Sequence, residues 1–214
     1  MASKTVAADL KVFGINCSLK SSKDSETSST DALMQQFFGE LAAQGATDKI
    51  VRAADYNIKP GVKSDEGRDD DWPGLLKQVL AADVLVIGAP IWLGQPSSVA
   101  KPVIERMDAF LDEKTTLAAC RLTARSWSRS SSATRTALII PRRKSCQGVS
   151  RLASPCRPVA RPTGSAKRWA TKEYKDFKRP PKVVAKWNKM LASNTAHLAR
   201  LLKLQQYPGI EGGR

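Results

Sequence analysis

The sequence is short of several residue types, and each shortage excludes a class of protein. Of its 214 residues one is histidine and four are cysteine, and the cysteines have no paired spacing that would indicate a disulfide framework or a zinc site. No apolar run reaches the roughly 18 residues that a membrane-spanning helix needs. The first ten residues contain no apolar signal region, so we expect a cytoplasmic protein with no membrane contact.

Acidic residues are missing from one long stretch in the centre of the chain. Residues 115–168 contain 12 Lys and Arg and no Asp or Glu, whereas residues 1–114 carry 13 basic and 17 acidic residues. The net charge of +15 therefore comes from the centre and the tail of the chain. Such a stretch is typical of a disordered linker or a nucleic-acid-binding insert. Its only aromatic residue is Trp127, so little aromatic interleaving supports the second interpretation.

The first half of the chain alternates short apolar runs with amphipathic segments. Strands are predicted at 10–18, 48–55 and 83–90, and helices at 31–45, 72–83, 97–113 and 180–204. The unbroken apolar run at 83–90 is typical of a parallel strand covered on both faces. This order predicts an α/β fold with a doubly wound parallel sheet in a single domain, 1–214. Such a fold needs a fourth strand, and we expect none after residue 115.

Polar loops follow the first and third predicted strands. Ligands of open α/β sheets bind outside the carboxyl ends of the strands. A phosphate at the start of the first helix would meet free backbone N–H groups and the positive end of the helix dipole. Taken alone, the first loop is more typical of a solvated serine-rich loop with a helix cap, and the second of a packing turn with Trp92 in the core. The presence of both loops at their expected places in the fold favours a binding site.

Two segments of the chain carry a resemblance: residues 14–34 (GINCSLKSSKDSETSSTDALM) and residues 82–111 (ADVLVIGAPIWLGQPSSVAKPVIERMDAFL). Together they resemble the flavodoxin-like NAD(P)H-dependent FMN reductase family. The resemblance implies an oxidoreductase that binds FMN and passes a hydride from NAD(P)H to flavin, and on to a flavin or quinone-like small-molecule acceptor. It also implies a homo-oligomer, either a dimer or a tetramer. The expected FMN-binding residues are Ser18, Lys20, Ser28, Ser29, Thr30, Pro90, Ile91, Trp92, Leu93 and Gly94.

Other reactive residues are given structural roles. No catalytic side chain is assigned, because the flavin itself accepts the hydride, and no metal site is assigned. Cys17, at a strand end, is expected to be a small buried residue, and His197 to lie on a helix surface or in packing. The acidic run SDEGRDDD at 64–71 is interpreted as a solvated loop.

The unusual composition of residues 115–168 has a genetic explanation. Family members continue here into a fourth strand and a flavin-contacting loop that resembles Gly-Asn-Glu-Asp-Gly-Ala-His-His. Residues 130–140 (SSSATRTALII) can be written as DNA by choosing among the codons permitted for each residue. When this DNA is read from the third base of its first codon, it encodes Val-Val followed by the whole motif. We therefore interpret residues 115–168 as the out-of-frame, disordered product of two compensating frameshifts, caused by sequencing errors or real lesions.

This hypothesis predicts weak folding and weak FMN retention, because a buried strand is lost. Each buried apolar side chain contributes roughly 1.5–3 kcal/mol, against a net domain stability of about 5–15 kcal/mol. Two alternatives stay open. One is a non-catalytic, basic nucleic-acid-binding module on a degenerate flavodoxin-like scaffold, although we favour the view that no nucleic acid is bound. The other is an electron-transfer flavoprotein that does not turn over nicotinamide.

Overall fold

A parallel sheet with helices on both faces organises the chain. This computed structural model describes residues 10–92, 95–109, 124–126, 134–140 and 174–204. Three parallel strands, β1 (Leu10–Asn16), β2 (Ala46–Arg52) and β3 (Val84–Trp92), lie in the order β2–β1–β3. A two-residue strand, β4 (Gln95–Pro96), pairs with the end of β3. The helices are α1 (Ser29–Ala42), α2 (Trp72–Ala81), α3 (Ala100–Arg106) and α4 (Lys182–Leu204). Short 3₁₀ turns lie at Ala53–Asp55 and Tyr174–Asp176.

Strands β1 and β3 are buried on both faces, as the apolar runs predicted. On one face, Phe13 and Ile15 of β1 and Leu85 and Ile87 of β3 pack against α2 and α3. On the other face, Val12, Val84 and their neighbours pack against α1 and α4. Helices therefore cover both faces of the sheet, which confirms the doubly wound arrangement. None of the helices in the described ranges is long and apolar enough to cross a membrane.

Two glycines allow α1 to approach the sheet closely. A Cβ atom on Gly14 of β1 would lie 2.6 Å from the Phe38 ring and 3.1 Å from the Met34 methyl group. A Cβ atom on Gly88 of β3 would overlap the Met34 sulfur and lie 3.1 Å from the methyl group of Thr30. Because Thr30 belongs to the first turn of α1, the strand glycines fix how deeply the start of this helix sits on the sheet.

Helix α4 packs against α1 through small side chains. Its buried residues are Ala192, Thr195, Ala196, Ala199 and Leu202. The helix begins at Lys182 and ends at Leu204, close to the predicted bounds of 180–204. His197 is exposed on its surface, in agreement with the role expected for it.

The expectation that no strand follows residue 115 was wrong. Strand β5 (Ala124–Ser126) and strand β6 (Thr134–Ile140) extend the sheet beyond β3 in the order β3–β6–β5. Both pairings are antiparallel, whereas a fourth strand of the expected fold would run parallel to β3. The free edge of β3 needs a hydrogen-bonding partner, and the run TRTALII is rich in the β-branched residues that favour strands. The rest of 115–168 lies outside the described residues.

Candidate functional site

The carboxyl ends of the three parallel strands meet at one edge of the sheet. Asn16 at the end of β1 pairs with Arg52 at the end of β2 and with Gly88 in β3. The backbone N–H of Cys17 then donates to the carbonyl of Gly88 at 2.7 Å, so the contact between the chains continues beyond the end of β1. The loops that follow β1 and β3 are therefore neighbours.

Ser97 fastens the two loops to each other. Its hydroxyl donates to the carbonyl of Cys17 at 2.5 Å, and its backbone N–H donates to the carbonyl of Pro90 at 3.1 Å. The same hydroxyl accepts the N–H of Ala100, the first residue of α3, at 3.3 Å. Ser97 is 1% exposed, so these bonds are shielded from water. One buried side chain thus links the loop after β1, the loop after β3 and α3.

The loop after β1 is held by side chains that bond to backbone groups. The N–H of Ser18 donates to the side-chain oxygen of Asn16 at 3.0 Å, and the Ser18 hydroxyl lies 3.5 Å from the carbonyl of Lys20. Further along, Asp24 accepts the N–H of Ser21 at 2.6 Å. These short-range bonds give the loop a defined shape without regular secondary structure.

Three of the predicted FMN-binding residues form the start of α1. Ser28 is the N-cap residue, and its hydroxyl oxygen accepts the N–H of Asp31 at 2.9 Å. Ser29 and Thr30 are the first two helical residues, and Thr30 is buried. The free N–H groups and the dipole of a 14-residue helix therefore point towards the loop after β1.

Asp31, in the first turn of α1, connects this helix to the carboxyl ends of β1 and β2. Its carboxylate accepts a hydrogen bond from the Asn16 amide at 3.1 Å and lies 3.4 Å from the Arg52 guanidinium. Arg52 also donates to the carbonyl of Ser21 at 3.4 Å. We did not predict this network from the sequence, because Asn16 and Arg52 lie in segments that were interpreted only as strands.

A cluster of two lysines and one glutamate lies beside the start of α1. Lys20 and Lys175 each bind one carboxylate oxygen of Glu26, at 2.7 and 2.6 Å. The N–H of Lys175 donates to the hydroxyl oxygen of Ser29 at 3.4 Å. The two ammonium groups lower the pKa of Glu26 to about 2, so its carboxylate stays charged at any ordinary pH. Lys175 was not predicted, because it is 149 residues away from Glu26 in the chain.

The predicted loop at 90–94 begins as an extension of β3. The backbone of Ile91 and Trp92 pairs antiparallel with a two-residue strand, β4 (Gln95–Pro96). Pro90, just before them, is partly buried. Leu93 and Gly94 lie outside the described residues. Strands β3 and β4 thus lie side by side at the carboxyl edge, beside the loop after β1.

Cys17 has the structural role that the sequence predicted. The residue is fully buried, and burial raises the pKa of its thiol to about 12. A thiol with so high a pKa is almost entirely protonated near neutral pH and is a poor nucleophile. Across the described ranges, no three His, Cys, Asp or Glu side chains are grouped so that they could hold a metal ion.

The acidic loop at 64–71 is only partly solvated, which corrects the sequence interpretation. The side chain of Asp70 is inaccessible and lies 2.7 Å from the equally inaccessible guanidinium of Arg106 in α3. Arg106 also donates to the carbonyls of Lys63 and Lys59, at 2.8 and 3.2 Å, and lies over the ring of Trp72. A buried ion pair therefore anchors the 57–71 loop to α3. The sequence does not distinguish Asp70 from the exposed acidic residues beside it, because they carry the same charge.

Comparison with known proteins identifies the class and then the family. The architecture is flavodoxin-like: a crystal structure of RosB with the bound intermediate 8-demethyl-8-formylriboflavin-5′-phosphate matches with a TM-score of 0.57 at 19% identity, over 92% of this chain and 82% of the other. The sequence profile of the family described as NADPH-dependent FMN reductase matches residues 10–145. The chain belongs to this family, which confirms the resemblance and the flavodoxin-like fold.

Two curated relatives match shorter stretches. The 8-demethyl-8-aminoriboflavin-5′-phosphate synthase of Streptomyces davaonensis is 29% identical over 113 residues, which cover 49% of this chain and 43% of that protein. A divalent metal cation transporter, MntH, of Mycobacterium bovis is 41% identical over 104 residues, which cover 47% of this chain but 15% of that protein. The chain thus spans less than half the length of either relative.

Proposed function

We propose that this chain is an FMN-binding oxidoreductase that takes a hydride from NAD(P)H and passes the electrons to a flavin or quinone-like acceptor. The observation that carries this proposal is the bridge made by Ser97, which joins the loop after β1 to the loop after β3 beside the start of α1. By the family resemblance, the loop after β1 would hold the phosphate of FMN and the loop after β3 would lie beside its ring.

The residues at this edge fit a flavin phosphate. Ser28, Ser29 and Thr30 would offer hydroxyl and backbone N–H donors at the positive end of α1, and Lys20 would supply a cation. Ser18, which is 4% exposed, would add a further hydroxyl group. When bound, FMN supplies the atom that accepts the hydride. The residues of the chain therefore bind and orient, and no protein acid or base is needed for that transfer.

The backbone at 90–94 would hold the flavin ring. Folding back between β3 and β4 turns the chain at the carboxyl edge of the sheet, beside Cys17. Backbone N–H groups of Ile91, Trp92, Leu93 and Gly94 would reach the polar edge of the ring, as the resemblance implies. Pro90, which has no N–H, accepts from Ser97 and fixes where this turn begins.

A second candidate function follows from the relatives. The names of the synthase from Streptomyces davaonensis and of the RosB complex both specify a riboflavin-5′-phosphate derivative. FMN is itself riboflavin-5′-phosphate, so both functions require the same recognition of a flavin phosphate. In the second function, the flavin phosphate would be a substrate that the protein modifies, instead of a cofactor that returns to its starting state.

One experiment separates the candidates. The purified chain is mixed with FMN and NADH or NADPH, and the nicotinamide absorbance is followed with and without a quinone acceptor. The oxidoreductase proposal predicts nicotinamide oxidation that the acceptor sustains, with FMN recovered unchanged by mass spectrometry. A chemically altered flavin would favour the second candidate. Flavin binding without nicotinamide oxidation would favour an electron-transfer flavoprotein.

Further parts of the proposal concern residues 115–168 and the assembly. We retain the hypothesis of compensating frameshifts, and accurate reading of the coding DNA across codons 115–170 distinguishes its two causes: two indels that vanish on re-reading identify sequencing errors, whereas DNA that matches the chain shows that the basic segment is real. In that second case, DNA or RNA binding with sequence preference would support the nucleic-acid module.

A dimer or tetramer remains a proposal, which light scattering can test.

A further inference from the structure

The strongest unexplained feature of the described chain is the arrangement of Lys20, Glu26 and Lys175. Each oxygen of one carboxylate binds a different ammonium group, at 2.7 Å for Lys20 and 2.6 Å for Lys175. Two cations that converge on neighbouring oxygens of one anion are arranged as a phosphate-binding pair would be. The cluster lies beside Ser29, at the positive end of α1.

The exposures of the three side chains differ in an informative way. Lys20 is 30% exposed and Lys175 is 20% exposed, whereas Glu26 is 63% exposed. The two cations are thus held within the fold, and the anion reaches them from the solvent side. Glu26 lies in the loop before α1, so its side chain can leave the cluster without disturbing any helix or strand.

Lys175 is brought to the cluster by contacts that do not depend on Glu26. The hydroxyl of its neighbour Tyr174 donates to the side-chain oxygen of Gln36 in α1. The N–H of Lys175 itself donates to the hydroxyl oxygen of Ser29. The 3₁₀ turn at 174–176 is therefore docked on α1 next to its first turn, and this docking would persist if Glu26 moved away.

We propose that Lys175 is the second phosphate-binding cation of the flavin site, and that Glu26 occupies the place of the phosphate until the ligand displaces it. This inference rests on the proposed function, because it deepens the assignment of the phosphate site. It also gives the segment after residue 173 a role in ligand selection: the chain would prefer a flavin that carries a phosphate over one that does not. Glu26 would weaken that preference by competing for both lysines.

The test compares FMN with riboflavin, which has the same ring and no phosphate. Both ligands are titrated, by quenching of flavin fluorescence, into the wild-type chain and into Lys175→Met, Lys178→Met and Glu26→Gln. Lys178 is exposed and three residues away, so its variant makes the same change in net charge. We expect Lys175→Met to weaken FMN binding about tenfold and leave riboflavin binding unchanged. Glu26→Gln should strengthen FMN binding several-fold, and Lys178→Met should match the wild type.

Other outcomes overturn the inference in distinguishable ways. If the wild type binds FMN and Lys175→Met binds it equally well, only the role of Lys175 is wrong. If Lys175→Met loses FMN and riboflavin in equal measure, Lys175 is merely structural. If the wild type binds neither flavin, the proposed function fails and this inference fails with it. Lys175→Arg keeps the cation and should retain the preference for FMN.

A measurement without ligand checks the cluster itself. The carboxyl carbon of Glu26 is titrated by NMR in the wild type and in Lys175→Met. The wild-type pKa should be about 2, because both ammonium groups favour the charged carboxylate. Removal of one ammonium should raise that pKa towards the ordinary value for glutamate. An unchanged pKa would show that Lys175 does not contact Glu26 in solution.

Discussion

The buried pair of Arg106 and Asp70 allows a quantitative prediction. Neither side chain is exposed, and the two are 2.7 Å apart. Replacing Asp70→Asn keeps the shape of the side chain but leaves a buried guanidinium without its counter-charge. Loss of one partner from a buried pair costs about 3–5 kcal/mol. We expect a comparable loss for Arg106→Met, which also removes the hydrogen bonds to the carbonyls of Lys59 and Lys63.

The double variant distinguishes an ion pair from two independent contributions. When both partners are removed together, no buried charge is left without a partner, so the loss should be smaller than the sum of the two single losses by roughly 1–3 kcal/mol. The free energies of unfolding are obtained from urea titrations that follow tryptophan fluorescence, to which the buried Trp72 contributes. Losses that add up within error would refute the reasoning.

The pH dependence of this effect has a defined sign. Burial acts to raise the pKa of Asp70, but hydrogen bonds from the backbone N–H groups of Glu66 and Trp72 and from the Arg106 guanidinium lower it overall. Because the folded pKa lies below the unfolded value of about 3.9, the stabilisation is fully present above that pH. It is lost as the pH falls through the folded pKa. The difference between the wild type and Asp70→Asn should therefore shrink in acid, and a constant difference would contradict the assignment.

Four further predictions concern the candidate site. Gly88→Ala should lower the melting temperature and weaken FMN binding, because the new methyl group would collide with Met34 and displace the start of α1, whereas Gly74→Ala, in open space, should do neither. Ser97→Ala should cost about 1 kcal/mol of stability and weaken FMN binding about tenfold, as measured by flavin titration, and unchanged binding would contradict the bridging role. Cys17 should resist iodoacetamide at pH 8 in the folded chain but react in urea, as measured by peptide mapping, because burial raises its pKa to about 12. The chain should purify without stoichiometric FMN, and a stable yellow protein would contradict the expected loss of flavin retention.

The sequence predicted the parts of the fold that depend on local pattern. The apolar runs gave β1 and β3, and the helical periodicity gave α1, α2 and α4, with α3 shorter than expected. The antiparallel addition of β6 to β3 was missed, because the composition around 134–140 was interpreted as the product of a changed reading frame. A local pattern also gives no information on how two distant segments pair.

The same limit applies to the candidate site. Ser18, Lys20 and the start of α1 were predicted, because a polar loop after a buried strand has a defined place in a doubly wound sheet. Lys175 and Ser97 were missed, since each acquires its role only from contact with a residue at least 80 positions away. Asp70 was misjudged for a related reason: its partner Arg106 comes from the next helix but one, and nothing in the acidic run marks which carboxylate will be buried.

The central claim is that the loops after β1 and β3 form one flavin-phosphate site, and mapping of FMN binding by NMR tests it most directly. Amide resonances of the ¹⁵N-labelled chain are recorded as FMN is added. We predict that the perturbed amides concentrate at residues 17–30 and 88–97, with a further change at Lys175. Perturbations confined to the opposite edge of the sheet, around residues 46–49, or spread without pattern over α4, would contradict the account.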